Sequence, residues 1–575
     1  MKSRGSLLCC ALLSVSLTQG AWACRCQPEE EEQKPAAVAS LPEGYPSTAA
    51  QAAQELAQRV PSDAQLVAFL GSFAAVVELI DTVRSWHLVD PRQLDGVFAD
   101  LGWHHGFNPA DAKSYEQSGL SLERGVLFGM LDGSPFLILP VDDLTRFESL
   151  MDSVVNEEYG RPRRHVEQHG ERTLTSVLVR KEDFLSYTYV DGCGYVAIGT
   201  PIWSKAGPSP DTLKRLLDTQ ASKSMASSEA FVAMRERLAE RGPVFVYSPN
   251  QQVARDLVKP LLAGSEAAES FLNELFFSQT NTAGVALMAK EKRLALSWFL
   301  TLPEASASAL KELGSPDPSS AEGLARLIDP QSHALGHFTF SPKTLEKTLF
   351  FVLPAGAQQT WEKLKKQLSV RFILNFEDEV LYNLSGHALL NLFSIEENAL
   401  ARSGSATDAM RAVDAALYLP MKNADKANSY FGKVSAIKDL LPQGAVEIEE
   451  RNEVLLITLR HQRAALLRIA YYDGVLAACT GENTIASVIE RLKSSEKVPA
   501  AKSFPIEVLQ DGIVWTLSVD VRQIVAVLSA KFDIVRVQIA KFLAPLDYVS
   551  AQLRVEDEGV GIELSIDMTP PQTDE

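Results

Sequence analysis

The feature that most constrains this chain is that it runs through one order of motifs twice. Pro61, Phe69 and Ser72 match Pro330, Phe338 and Ser341 at one constant spacing. Asp111, Tyr115, Ser118 and Gly119 match Asp378, Tyr382, Ser385 and Gly386, four identities in nine ungapped positions. Leu137-Ile138-Leu139-Pro140 precedes an amphipathic stretch, as Leu417-Tyr418-Leu419-Pro420 does. Tyr189-Val190-Asp191-Gly192 answers Tyr471-Tyr472-Asp473-Gly474, each between apolar runs, the pattern of a β-hairpin closed by a type I′ turn in which Gly accepts positive φ. Self-similarity at this scale predicts two copies of one module rather than one large domain.

The copies span 47–303 and 320–570, joined by a Ser- and Pro-rich linker over 304–319. Strands such as Val446-Glu447-Ile448-Glu449 alternate apolar and polar residues, so one face of many strands is wet. Helices are predicted where apolar residues recur at helical spacing: Phe73, Val76, Val77 and Ile80 after a Ser72 cap, and Leu345, Leu349 and Val352 after Ser341-Pro342. The fold class expected is α+β: two tandem modules of antiparallel or mixed sheets covered by helices. The repeated order of capped helix, Ser-Gly turn, strand-Pro-helix and Asp-Gly hairpin resembles exported bacterial proteins that carry a domain of unknown function. That resemblance covers nearly all of the chain after its first residues and implies fold and compartment, with no active-site residues to carry over.

The N-terminus carries Lys2 and Arg4, an apolar run from Ser6 to Leu17, and Ala21-Trp22-Ala23. Basic, apolar and small-residue regions in that order predict a secretion signal over 1–23, and a dozen apolar residues are too few for the roughly 20 of a membrane-spanning helix. Two outcomes stay open at the same bond. Ala21-x-Ala23 suits release by a signal peptidase, whereas Cys24 directly after it resembles the lipid-attachment cysteine of bacterial lipoproteins, although Ala21 and Trp22 depart from their pattern. Residues 24–46, with four consecutive glutamates and several prolines, read as an extended acidic tether, and 571–575 as a disordered tail.

Charge and motif chemistry narrow function by exclusion. The formal net charge of −18 becomes −20 without Lys2 and Arg4, because 53 basic residues then face 73 acidic ones. Such a balance excludes nucleic acid as a partner. Cys9 and Cys10 leave with the signal, and four remaining cysteines make no disulfide framework; Cys193 and Cys479 read as buried apolar residues on strands. The histidine pairs His104-His105, His165-x3-His169 and His333-x3-His337 lack the further ligands a metal site needs, so no metal and no cofactor is expected. Nucleophile and phosphate-loop motifs are likewise absent from the sequence. The reading is an exported, envelope-associated, non-enzymatic binding or scaffold protein whose partner is another envelope protein, a peptide or a lipid-like ligand. The alternative is a hydrolase-like enzyme with a site assembled near Trp103-His104-His105, a passage without counterpart in the second copy.

Overall fold

The structure, a computed structural model, describes residues 41–86, 107–159, 163–179, 182–199, 207–249, 282–290, 292–313, 324–329, 332–342, 366, 375–396, 412–436, 446–461, 464–481, 484–494, 513–522 and 546–568. The expected signal, Cys24, most of the expected tether, Trp103-His104-His105, the expected helix with Leu345, Leu349 and Val352, and residues 571–575 lie outside the described residues. The chain divides into two compact units, Met1–Glu291 with Trp298–Leu300, and Lys292–Ser297 with Thr301–Glu575.

In the first unit the strands are β1 Leu66–Leu70, β2 Val126–Leu131, β3 Ser134–Pro140, β4 Arg163–His169, β5 Arg172–Val179, β6 Glu182–Val190, β7 Cys193–Ile198, β8 Val244–Ser248 and β9 Ala283–Lys290, followed by β10 Arg293–Thr301, of which only Trp298–Leu300 belongs to that unit. They lie side by side as β4-β5-β6-β7-β3-β2-β1-β8-β9-β10. The second unit has β11 Ala334–Thr339, β12 His387–Ile395, β13 Val413–Pro420, β14 Val446–Arg451, β15 Val454–His461, β16 Ala464–Tyr472, β17 Val475–Cys479, β18 Ile513–Asp520, β19 Leu546–Glu556 and β20 Gly559–Met568. Their order, β14-β15-β16-β17-β13-β12-β11-β18-β19-β20, repeats the first strand for strand.

The fold class needs correction. The described strands of each unit form a broad antiparallel sheet with few helices, not a helix-covered α+β module. Every pairing whose register the described residues give is antiparallel. Alternation along a strand reports which face is wet, but it carries no information on how many strands share a ladder, because that is set by pairing between segments far apart in sequence.

The helices are subordinate to this sheet. In the first unit they are α1 Ala50–Leu56, α2 Phe73–Ser85, α3 Ala112–Gln117, α4 Leu144–Tyr159, α5 Ser209–Leu217 and α6 Glu229–Leu238. Some of them pack against part of each sheet face. Phe69, Leu127, Ile138 and Phe245 share a core with Ala53, Leu213 and Phe231 of α1, α5 and α6. Val126, Val177, Tyr187 and Val196 share another with Phe73, Tyr115 and Phe147 of α2, α3 and α4. Ser72 caps α2 as expected, its Oγ accepting from the Ala75 N–H at 3.1 Å, and its own hydroxyl donates to the Pro46 carbonyl at 2.9 Å. Residues at the end of the expected tether are therefore bound to the body: the Tyr45 hydroxyl also donates to the Glu78 carboxylate, and burial together with that carboxylate pushes its pKa up to about 12. The expected linker differs too. Glu304–Leu313 forms helix α7, in which Ala307 and Leu310, three residues apart and so on one face, are buried and Lys311 is paired to Asp557. In the second unit, α8 Ala424–Ala436 and α9 Thr484–Lys493 correspond to α4 and α5 in order.

Both Asp-Gly hairpins form as read. Val190 faces Cys193 and Tyr472 faces Val475, and the two turn residues between them have φ of 49° and 73° (Asp191, Gly192) and 41° and 76° (Asp473, Gly474). In each unit the turn glycine carbonyl then accepts from the residue after the strand proline: Val141 N–H to Gly192 at 3.0 Å, Met421 N–H to Gly474 at 2.8 Å. The Asp378–Gly386 match, by contrast, is out of register. Ser121 and Ser385 are the residues that donate to the Pro140 and Pro420 carbonyls, so Ser385 stands where Ser121 stands, three residues beyond Ser118. Tyr115 is accordingly buried with its hydroxyl on the Pro109 carbonyl, while Tyr382 is 39% exposed.

The Gly474 turn supplies a direct test of this frame. A Cβ there would meet the Ala424 Cβ at 2.9 Å and would sit at positive φ. Gly474→Ala should lower unfolding stability by about 1–2 kcal/mol, read from the urea midpoint.

Candidate functional site

Counting across the ladders from the two prolines puts equivalent positions of the two units side by side. Two residues before Pro140, Ile138 faces Leu127, which faces Phe69, which faces Phe245. Two residues before Pro420, Tyr418 faces Leu389, which faces His337, which faces Thr516. The position of Phe69 is thus taken by His337, not by Phe338 as the constant spacing suggested. A slip of one residue turns a side chain to the opposite face, and Phe338 accordingly packs towards Trp515, ring centres 6.4 Å apart.

The next row shows the same exchange. Phe136, Gly129, Val67 and Tyr247 stand where Ala416, Asn391, Leu335 and Ser518 stand in the second unit. A Cβ on Gly129 would lie 2.3 Å from the Phe136 ring, so the glycine makes room for that ring. In the second unit the large ring is gone and the freed volume holds the Asn391 side chain. One interior is built from stacked and tilted aromatic rings, Phe69 over Phe245 at 5.9 Å and Phe231 edge-on to Tyr247 at 5.2 Å. The other sets Asn391, His337, Thr516 and Ser518 among apolar Leu335, Leu389 and Ala416 at the same places.

Buried polar groups must be hydrogen-bonded, and these organise into three clusters. His337 Nε2 and His387 Nδ1 are 3.1 Å apart with rings near parallel, so one nitrogen carries the proton and the other accepts it. Ser518 and Ser550 share a hydroxyl bond of 2.9 Å. The densest cluster surrounds Asp329: its carboxylate accepts from the Ser487 hydroxyl and lies 3.6 Å from Arg491 Nε, both on α9. Asn391 accepts from the Asp329 N–H and the Ser332 hydroxyl at 3.4 Å each and donates to the Leu327 carbonyl at 2.9 Å. Tyr418 points its hydroxyl into the same interior with no hydrogen-bond partner, and burial, then the Asp329 charge, holds its pKa well above the usual phenol range. Of these groups only His337 stands in a histidine pair legible in the sequence, with His333; its neighbour in space is His387, fifty positions away, and the β11–β12 ladder brings them together.

The other sequence candidates stay apart. His165 is exposed on β4, while His169 makes a 2.8 Å contact to Asp218. Among the described residues no group of three His, Cys, Asp or Glu side chains could hold a metal ion. Cys193 and Cys479 are both free and buried on strands, and burial pushes the Cys479 thiol up to about 11. No helix among the described residues is long and apolar enough to cross a membrane.

The outermost strands are the second feature. Among the described residues β4 is bonded to β5 alone and β14 to β15 alone, and both strands are largely exposed. On β4 lie Arg163, Arg164 and His165, with Val166 57% exposed, more than any other large apolar residue among those described. On β14 lie Glu447, Glu449 and Glu450. An edge strand presents unpaired backbone donors and acceptors, which another strand can complete.

Two measurements test the interior. Tyr418→Phe should leave stability unchanged or raise it by up to about 1 kcal/mol, because it removes a buried hydroxyl without a partner, whereas Asp329→Ala should cost about 1–3 kcal/mol by stranding Ser487 and Arg491; urea melts compare the two. In a chain beginning at Leu41, whose only cysteines are Cys193 and Cys479, both thiols should resist a thiol reagent at pH 8 until denaturant is added.

Comparison with known proteins adds little to this geometry. No protein-family model matches the chain, and no curated protein matches it. Among solved structures it is similar to TP0453 in two crystal forms: form IV at 14% identity, with 44% of this chain and 83% of that chain covered and a TM-score of 0.26, and form I at 12% identity, with 46% and 86% covered and a TM-score of 0.25.

Proposed function

We propose that this is an exported, envelope-associated binding or scaffold protein without catalytic activity, held to a membrane through Cys24 if that cysteine is lipidated. The observation that carries the reading is the pair of exposed edge strands, β4 and β14, one at the margin of each unit's strand order. Strand addition at such an edge gives affinity through main-chain hydrogen bonds and specificity through alternate side chains. Two further facts support it. The ten-strand framework occurs twice while the interior side chains differ between units, so what recurs is a surface-bearing frame and not a constellation of reactive groups. The basic, apolar and Ala-x-Ala order of the first 23 residues supports export.

Cell fractionation with a labelled fatty acid tests the compartment and the anchor together. The mature protein should appear in the envelope fraction; if anchored it takes up label and sediments with membranes, and Cys24→Ser abolishes both. Recovery of unprocessed protein in the cytoplasm would sink the reading.

A further inference from the structure

We infer that the partner completing these edges is a second copy of the same chain, β4 of one molecule adding antiparallel to β14 of the next. This inference rests on the binding-protein reading above and names its partner.

The argument starts from what the two edges present. Charges on an edge strand ordinarily prevent pairing, since like charges or desolvated ones penalise any incoming strand. That device works against a strand of the same kind, and here the two edges differ in sign. Arg163, Arg164 and His165 lead β4, whereas Glu447, Glu449 and Glu450 dominate β14. Each edge therefore repels its own kind and suits the other.

Side-chain parity sharpens the match. On β4, Arg163 and His165 share one face with Ser176, the cross-strand neighbour of His165, while Arg164 and Val166 occupy the other. On β14, Glu447 and Glu449 share one face and Val446, Ile448 and Glu450 the other. An antiparallel register that sets Arg163 opposite Glu449 also sets His165 opposite Glu447 on the same face. On the opposite face it sets Val166 against Val446 and the aliphatic stem of Arg164 against Ile448. No like charges meet in that register, and the exposed Val166 gains an apolar neighbour; opposite-charge and β-branched cross-strand pairs each contribute about 0.2–1 kcal/mol. Arg164 remains paired to Asp152 in its own unit, so it is not needed as an ion partner.

Two copies each carrying a net charge near −20 repel at long range. That repulsion is screened beyond about 8 Å at physiological ionic strength, so contact pairs decide the outcome. A contact between two different patches is heterologous, and each molecule keeps a second edge to offer, so association does not have to stop at two chains.

Charge exchange tests this in purified mature protein by analytical ultracentrifugation. Wild type should show an average mass that rises above one chain with concentration. The variant Arg163→Glu/His165→Glu, acidic on both edges, and the variant Glu447→Lys/Glu449→Lys, basic on both, should each associate at least tenfold more weakly alone. Their equimolar mixture should recover wild-type association, because every junction is again opposite in sign. Far-UV circular dichroism and the urea midpoint of each variant establish that it folds; the exposed ion pairs given up, Glu447 with Arg460 and Glu449 with Arg451, are of a kind that contributes little. Wild type that stays monomeric at its highest soluble concentration overturns the inference, as does association that survives both exchanges or a mixture that fails to recover. None of these outcomes depends on where the protein resides in the cell, so they leave the compartment test above to stand or fall separately.

Discussion

Cross-strand register, anchored at Pro140 and Pro420, is the constraint on which the rest of this structure depends. Each proline ends a strand whose next residue donates to the glycine carbonyl of an Asp-Gly turn, and whose own carbonyl accepts from a serine, Ser121 or Ser385. That latch ties three segments together in each unit and determines which residue of every neighbouring strand looks inward. Because side chains alternate with a period of two, a single-residue error at the latch would exchange the entire core face for the other. The positive-φ residues of the turns are therefore less a local curiosity than the device that holds the register.

Given a common frame, the two interiors solve the filling problem in different ways. The first unit uses large rings and makes space with glycine at position 129. The second has Asn391, His337 and Thr516 where the first has Gly129, Phe69 and Phe245; Asn391 and His337 find hydrogen-bond partners in the segment bearing Asp329 and in the neighbouring strands, and α9 serves Asp329 in turn, while the Thr516 hydroxyl finds none. An apolar core is close to indifferent to rotations of its side chains about polar directions, whereas a polar one is satisfied in few arrangements; the second unit thus gains specificity of packing where the first gains area removed from water. The unpartnered hydroxyls of Tyr418, in the place of Ile138, and of Thr516, in the place of Phe245, mark where that satisfaction is incomplete.

The margins of the sheet follow from the same order of strands. Long connections carry the chain from β3 to β4 and from β13 to β14, through α4 and α8, and leave the last hairpin of each unit hanging on one ladder. A strand in that position has only one side to bury its backbone groups against, so its exposed charges and Val166 are where the molecule can still form main-chain bonds with something else.

Some of this was determined by the sequence alone. The Asp-Gly dipeptides between apolar runs specified both hairpins, since only residues tolerant of positive φ fit a two-residue turn of that twist. Ser72 specified a helix start, and the cysteines were recognisable as buried on strands. The order of elements in the two halves was visible because turn residues and prolines punctuate it in the same sequence. The tertiary structure decided what identities of sequence could not: that Tyr115 and Tyr382 are not equivalent, that Phe69 is replaced by His337, that 304–313 is helical, and that the strands of each unit join a broad antiparallel sheet. The physical reason is common to all four. Turn chemistry and capping act within a few residues and leave a signature there, whereas register, burial and strand partners arise from segments tens to hundreds of residues apart, whose fit depends on shape and not on resemblance.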